Sequence, residues 1–189
     1  MPKTDNVYRL PEKLPLPLDD GACNHLPGLC LPSIALSATG GGKVDLSSLA
    51  GTTVLYCYPR TGRPDQELPP GWNDIPGARG CTPQSCAFRD HYQELERLSA
   101  RVFGLSTQST EYQQEVAQRL HLPFALLSDG KLEFVGALRL PTFEVGGMTL
   151  VRRLTLIVCD GRIVKMFYPV FPPDQNAQQV INWVSSNLA

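Results

Sequence analysis

The sequence predicts one α/β domain built around a central mixed sheet, and three observations carry that expectation. Short runs rich in β-branched and aromatic residues (TTVLYCY, RVFGLST, RLTLIV) alternate with stretches whose apolar residues recur at helical period. Strands alternating with helices of this length form a sheet with helices packed on it. Among the 189 residues, 42% are hydrophobic and 19% charged, enough apolar material for one sizeable core.

The elements follow in order. Residues 1–32 contain six prolines and no sustained period, so residues 1–29 are expected to form an extended arm laid over a domain spanning 30–189. SIALSA and VDLSSL, joined by TGGGK, read as a β-hairpin. TTVLYCY (52–58) reads as a buried strand. Residues 60–80 hold four prolines and four glycines around Trp72, an inserted loop of a length that is usually functional. A helix is expected over 82–99, with Thr82 as N-cap, Pro83 in the first position, and Phe88, Tyr92, Leu95 and Leu98 as its apolar stripe. RVFGLST is a strand, STEYQQEVAQRL a second helix, FALLSD a strand, and a short helical stretch lies near 132–138. RLTLIV and RIVKMFY form a hairpin around CDG, and a last helix starts near Asp174. This order matches the thioredoxin fold.

Lys and Arg together number 17 against 18 acidic residues, scattered along the chain for a net charge of −1. Nucleic-acid binding needs a basic face, so no nucleic-acid partner is expected. No segment approaches the roughly 20 apolar residues of a membrane helix, and the N-terminus lacks an apolar signal core. The expectation is a soluble cytoplasmic protein without a membrane partner, monomeric or homodimeric. In a reducing compartment, six cysteines are core thiols, metal ligands or catalytic groups rather than staples.

Two of the six stand apart. Cys81 falls at the start of the predicted helix, where unpaired backbone N–H groups and the helix dipole favour a thiolate, the nucleophilic form. Cys86 follows five positions later. In an intact helix that spacing separates the Cα atoms by roughly 8.6 Å, and a disulfide tolerates at most about 7 Å. The pair therefore suits a two-state cycle, with a reactive thiolate on a folded helix and a disulfide on an unwound one.

At this point the sequence resembles the peroxiredoxins, and within them the PrxQ or bacterioferritin-comigratory-protein group of the AhpC/TSA superfamily. The resemblance rests on GCTPQSCAFRDHYQEL, with VLYCYPR before the loop, VFGLST after the helix, LPFALLSD, and RLTLIVCDGRIV near the end, and it covers about residues 30–187. It implies a thiol-dependent peroxidase reducing hydrogen peroxide and organic hydroperoxides without metal or organic cofactor. Cys81 would be the peroxidatic and Cys86 the resolving cysteine, joined in an intramolecular disulfide that a thioredoxin-like protein reduces. The family's R-x-T pattern falls on Arg153 and Thr155, with Arg152 as the alternative; adjacent strand residues face opposite sides, so one of the two can reach the site.

The family's PxxxTxxC motif is not in place, because Asp74 and Ala78 occupy its Pro and Thr positions. Pro59 looks like the family's proline by context and Thr61 follows it, which implies a fifteen-residue insertion before Cys81. Either Thr61 returns to the sulfur, or the Gly80 and Cys81 N–H groups bind the peroxide alone. Cys57 and Cys159 read as core or bystander thiols. CNHLPGLC offers three potential metal ligands at an unusual spacing, which argues against a metal site. His91 and His121 read as solvated. Two other functions stay open: a thioredoxin-fold disulfide oxidoreductase, against which the absent CxxC argues, and a thiol redox sensor.

Overall fold

The structure, a computed structural model, describes residues 6–188; residues 1–5 of the expected arm lie outside them. Seven strands form one mixed sheet: β1 (Ala35–Ala38), β2 (Lys43–Asp45), β3 (Thr52–Cys57), β4 (Ala100–Ser106), β5 (Leu126–Ser128), β8 (Leu154–Cys159) and β9 (Arg162–Phe167). Their spatial order is β2-β1-β5-β4-β3-β8-β9. Parallel β3, β4 and β5 occupy the centre, and antiparallel pairs close both sides. The expected mixed sheet flanked by helices is what the chain forms.

Strand β3 sets the two faces by simple alternation. Val54, Tyr56 and Tyr58 enter a core shared with α1 (Cys81–Asp90), α2 (Tyr92–Arg97), α3 (Thr110–Arg119) and α5 (Asn176–Asn187). Leu55 and Cys57 enter the opposite core, where α4 (Glu133–Ala137) supplies Phe134 and Val135. Cys23, Leu26 and Leu31 belong to that second core as well. The Pro-rich segment thus covers one face of the sheet, and fully burying a side chain such as Leu26 contributes about 1.5–3 kcal/mol.

Tyr56 couples the sheet to the cysteine helix. It lies opposite Gly104 on β4 and Thr155 on β8. Its ring stacks on Phe88 of α1 at 4.5 Å between centroids, and its hydroxyl donates to Ser85 Oγ at 3.0 Å. A Cβ at Gly104 would stand 2.7 Å from the Tyr56 ring, so only glycine leaves room there.

Three elements differ from the sequence expectation. The stretch expected as one helix over 82–99 is two, broken at His91 (φ −98°, ψ 8°). Phe88 and Leu95 are both fully buried across the break, so the apolar stripe is continuous although the helix is not. Thr82 is not the N-cap: it lies buried inside the first turn, and Gly80 caps α1 in the left-handed region at φ 101°. The hairpin of β6 (Thr142–Val145) and β7 (Met148–Val151), turning at Gly146 and Gly147, was not expected. Its Gly-Gly dipeptide between two short apolar runs is a hairpin signal of the ordinary kind.

Candidate active site

Cys81 is the first residue of α1, with a side chain 3% exposed. Gly80 delivers it. A Cβ at Gly80 would stand 2.4 Å from Pro173 Cγ and 2.7 Å from Leu10 Cδ2, and the positive φ disfavours any other residue. The loop therefore enters the helix through a position that glycine alone fills.

Arg153 lies between β7 and β8 and is almost fully buried. Its Nη2 stands 3.1 Å from the Cys81 sulfur. The same nitrogen donates to the carbonyls of Ala78 (3.2 Å) and Arg79 (3.0 Å), and Nε donates to that of Gly77 (3.3 Å). Nη1 donates to Gln84 Oε1. A buried guanidinium held at both ends of its fork cannot swing away from the sulfur. Arg152 faces elsewhere, with its guanidinium 6.0 Å from the Phe143 ring centroid.

Gln84 was not singled out from the sequence, although it sits three residues after Cys81 and so on the same helical face. It is fully buried, and its Nε2 donates to Asn176 Oδ1 at 3.0 Å. Thr155 Oγ1 donates to that same oxygen at 2.7 Å. One polar chain thus links β8, α5, α1 and Arg153. Asn176 carried no sequence signal, because only the folded chain brings α5 under α1.

Thr61 is fully buried, and its hydroxyl donates to Gln108 Oε1 at 3.1 Å. Its backbone N–H donates to that oxygen at 3.0 Å, and its carbonyl accepts from Tyr112 Oη at 3.1 Å. Its neighbours Arg60 and Gly62 line the space beside Cys81. That space measures about 10 Å³, and Val7, Leu68, Trp72 and Arg79 contribute to its walls.

Cys86, half-buried on α1, is a free thiol, as is Cys81. Burial raises the Cys86 pKa, with the nearby Arg89 cation acting in the opposite direction. Burial also holds the Cys57 thiol up and pushes that of Cys23 up to about 12, so both stay protonated in the core. His25 Nε2 lies 2.9 Å from the Leu138 carbonyl, and Cys30 is exposed beside Arg162. Cys159 closes β8. His91 caps the end of α1 with its Nδ1 2.7 Å from Glu94 Oε1, and His121 is exposed just after α3.

A buried cation thus stands on a thiol at the N-terminus of α1, with a second thiol five residues further along the same helix. The Redoxin family model matches residues 27–181 of this chain. Peroxiredoxin Q, chloroplastic, from Sedum lineare is 30% identical over 157 residues, covering 82% of this chain and 75% of the relative. The chain belongs to the redoxin family, as a peroxiredoxin of the Q group. This peroxiredoxin is accordingly a thiol-dependent peroxidase. A putative peroxiredoxin bcp of Coxiella burnetii is 33% identical over 99 residues, covering 52% of this chain and 56% of the relative. The fold matches that of peroxidoxin BcpB from Mycobacterium tuberculosis with a TM-score of 0.71 at 22% identity, over 87% of this peroxiredoxin and 100% of that chain. Among the described residues, no helix is long and apolar enough to cross a membrane.

Proposed function

We propose that Cys81 is the peroxidatic cysteine, Cys86 the resolving cysteine, and Arg153 the cation that activates the first and orients the peroxide. The observation that carries this reading is the 3.1 Å approach of Arg153 Nη2 to the Cys81 sulfur at the N-terminus of α1. A preorganised cation at that point meets the negative charge that develops as the O–O bond breaks.

The chemistry balances in three steps. The Cys81 thiolate attacks the terminal oxygen of ROOH; an S–O bond forms, the O–O bond breaks, and RO⁻ leaves to take up a proton, leaving Cys81 as sulfenic acid. Cys86 then attacks that sulfur, an S–S bond forms, and water leaves. A thioredoxin-type dithiol reduces the disulfide by exchange and is itself oxidised. The second step requires α1 to unwind, because the helix holds the two Cα atoms roughly 8.6 Å apart. Unwinding the first turn gives up the hydrogen bonds of Gln84 and Ser85, each worth roughly 1 kcal/mol net.

Thr61 serves in this reading as a positioning residue, fixing residues 60–62 against α3 through Gln108 and Tyr112. A role for residues 60–80 as a loop that shapes the active site is supported by Arg60, Leu68, Trp72 and Arg79 lining the space at Cys81. The test is hydrogen peroxide consumption coupled to thioredoxin, thioredoxin reductase and NADPH. Turnover by the wild-type chain and its loss in Cys81→Ser support the assignment; undiminished turnover in Cys81→Ser refutes it.

A further inference from the structure

Residues 6–10 lie before the stretch matched by the family model, yet Val7 lines the space at Cys81 and Leu10 packs on Gly80. Val7 is almost fully buried and forms part of its wall. It packs so closely on the loop that a Cβ on Gly62 would stand 2.9 Å from Val7 Cγ1. Leu10 presses on Gly80, the residue that delivers Cys81.

The segment is anchored at both Asn6 and Tyr8. Arg79 Nη2 donates to the Asn6 carbonyl at 3.0 Å. Arg119 Nη1 donates to Tyr8 Oη at 3.0 Å, and its guanidinium lies 5.7 Å from the Tyr8 ring centroid. Arg119 also donates to the Gly62 carbonyl at 3.0 Å, so one side chain holds strap and loop together. The turn itself is closed by Tyr8 N–H on Asn6 Oδ1 at 3.0 Å and Arg9 N–H on the Asn6 carbonyl at 3.2 Å.

The space left is about 10 Å³, close to the room of a single water molecule. Hydrogen peroxide is only slightly larger than water, whereas a hydroperoxide with a branched or aryl group is many times larger than this space. Tyr8 is 46% exposed, so its anchor can be released at little packing cost.

We propose that residues 6–10 form a strap whose Val7 side chain sets the size of hydroperoxide that reaches Cys81. This inference rests on Cys81 being the peroxidatic cysteine. It makes the N-terminal arm a specificity element, with Val7 as its determinant and Tyr8 as its latch. Hydrogen peroxide reacts with the strap closed, and bulky hydroperoxides wait for it to lift.

The test measures second-order rate constants of Cys81 oxidation by hydrogen peroxide and by cumene hydroperoxide, in the full-length wild type, Val7→Ala and Tyr8→Ala. The readout is the ratio of the two constants, which a general loss of activity does not move. Removing the Val7 methyl groups is expected to raise the ratio of cumene hydroperoxide to hydrogen peroxide by about tenfold. Tyr8→Ala, which leaves the wall intact but frees the latch, is expected to raise it in the same direction. Unchanged ratios in both variants, with hydrogen peroxide still oxidising Cys81, would overturn the strap and leave the peroxidase reading standing. A wild type in which neither hydroperoxide oxidises Cys81 would overturn both.

Discussion

Arg153 reaches the Cys81 sulfur at 3.1 Å with the same nitrogen that donates to the carbonyls of Ala78 and Arg79. The cation is therefore fixed by the loop backbone that precedes the cysteine. Removing a preorganised donor of this kind typically costs about 10²–10³ in rate. Arg153→Gln is expected to slow hydrogen peroxide consumption on that scale, and Arg153→Lys to rescue it only in part, since an ammonium cannot reproduce the fork. Competition kinetics for hydrogen peroxide check both; a Lys variant at the wild-type rate contradicts the geometric argument.

Cys86→Ser separates the two halves of the cycle. The first turnover should proceed at the wild-type rate and stop at the sulfenic acid of Cys81, which dimedone traps and mass spectrometry detects. Continued turnover with thioredoxin would show that another thiol resolves the sulfenate.

Burial holds the Cys86 thiol above its ordinary value of about 9 in the folded helix. A group whose folded pKa is raised contributes stability that is complete below its unfolded pKa and is lost as pH rises through the folded one. Alkaline pH thus weakens folded α1 and also generates the resolving thiolate. Disulfide formation in a single turnover should accelerate as the pH rises above 9, the ordinary value from which burial raises this thiol. Stopped-flow measurement of that step checks it, and a flat profile would contradict the coupling.

Gly80→Ala combines a positive φ with a Cβ driven into Pro173 and Leu10. Strain of this kind costs of the order of 1–3 kcal/mol. Denaturant unfolding should show a loss in that range, together with slower Cys81 oxidation as the helix start shifts. Wild-type stability in this variant would mean that the glycine is not required.

The central strands, α3, α5 and both terminal hairpins were legible because their apolar periods are strong. The break at His91 was not, since Phe88 and Leu95 keep one stripe across it and no Gly or Pro marks the place. The Cys81 and Cys86 pair stood out in the sequence by type and spacing, and Arg153 was singled out through the R-x-T pattern of the resembling family. The sequence left Arg152 open as an alternative; the structure puts only Arg153 at the sulfur. Gln84 could have been found by helical spacing alone. Asn176 and Val7 could not, because their nearness to the site arises from packing between segments far apart in the chain.

The most direct test of the account is peptide mapping of the fully reduced protein after one equivalent of hydrogen peroxide, with remaining thiols alkylated. The account predicts a Cys81–Cys86 disulfide as the dominant product, with Cys23, Cys30, Cys57 and Cys159 alkylated. Recovery of Cys81 as an alkylated free thiol would contradict it.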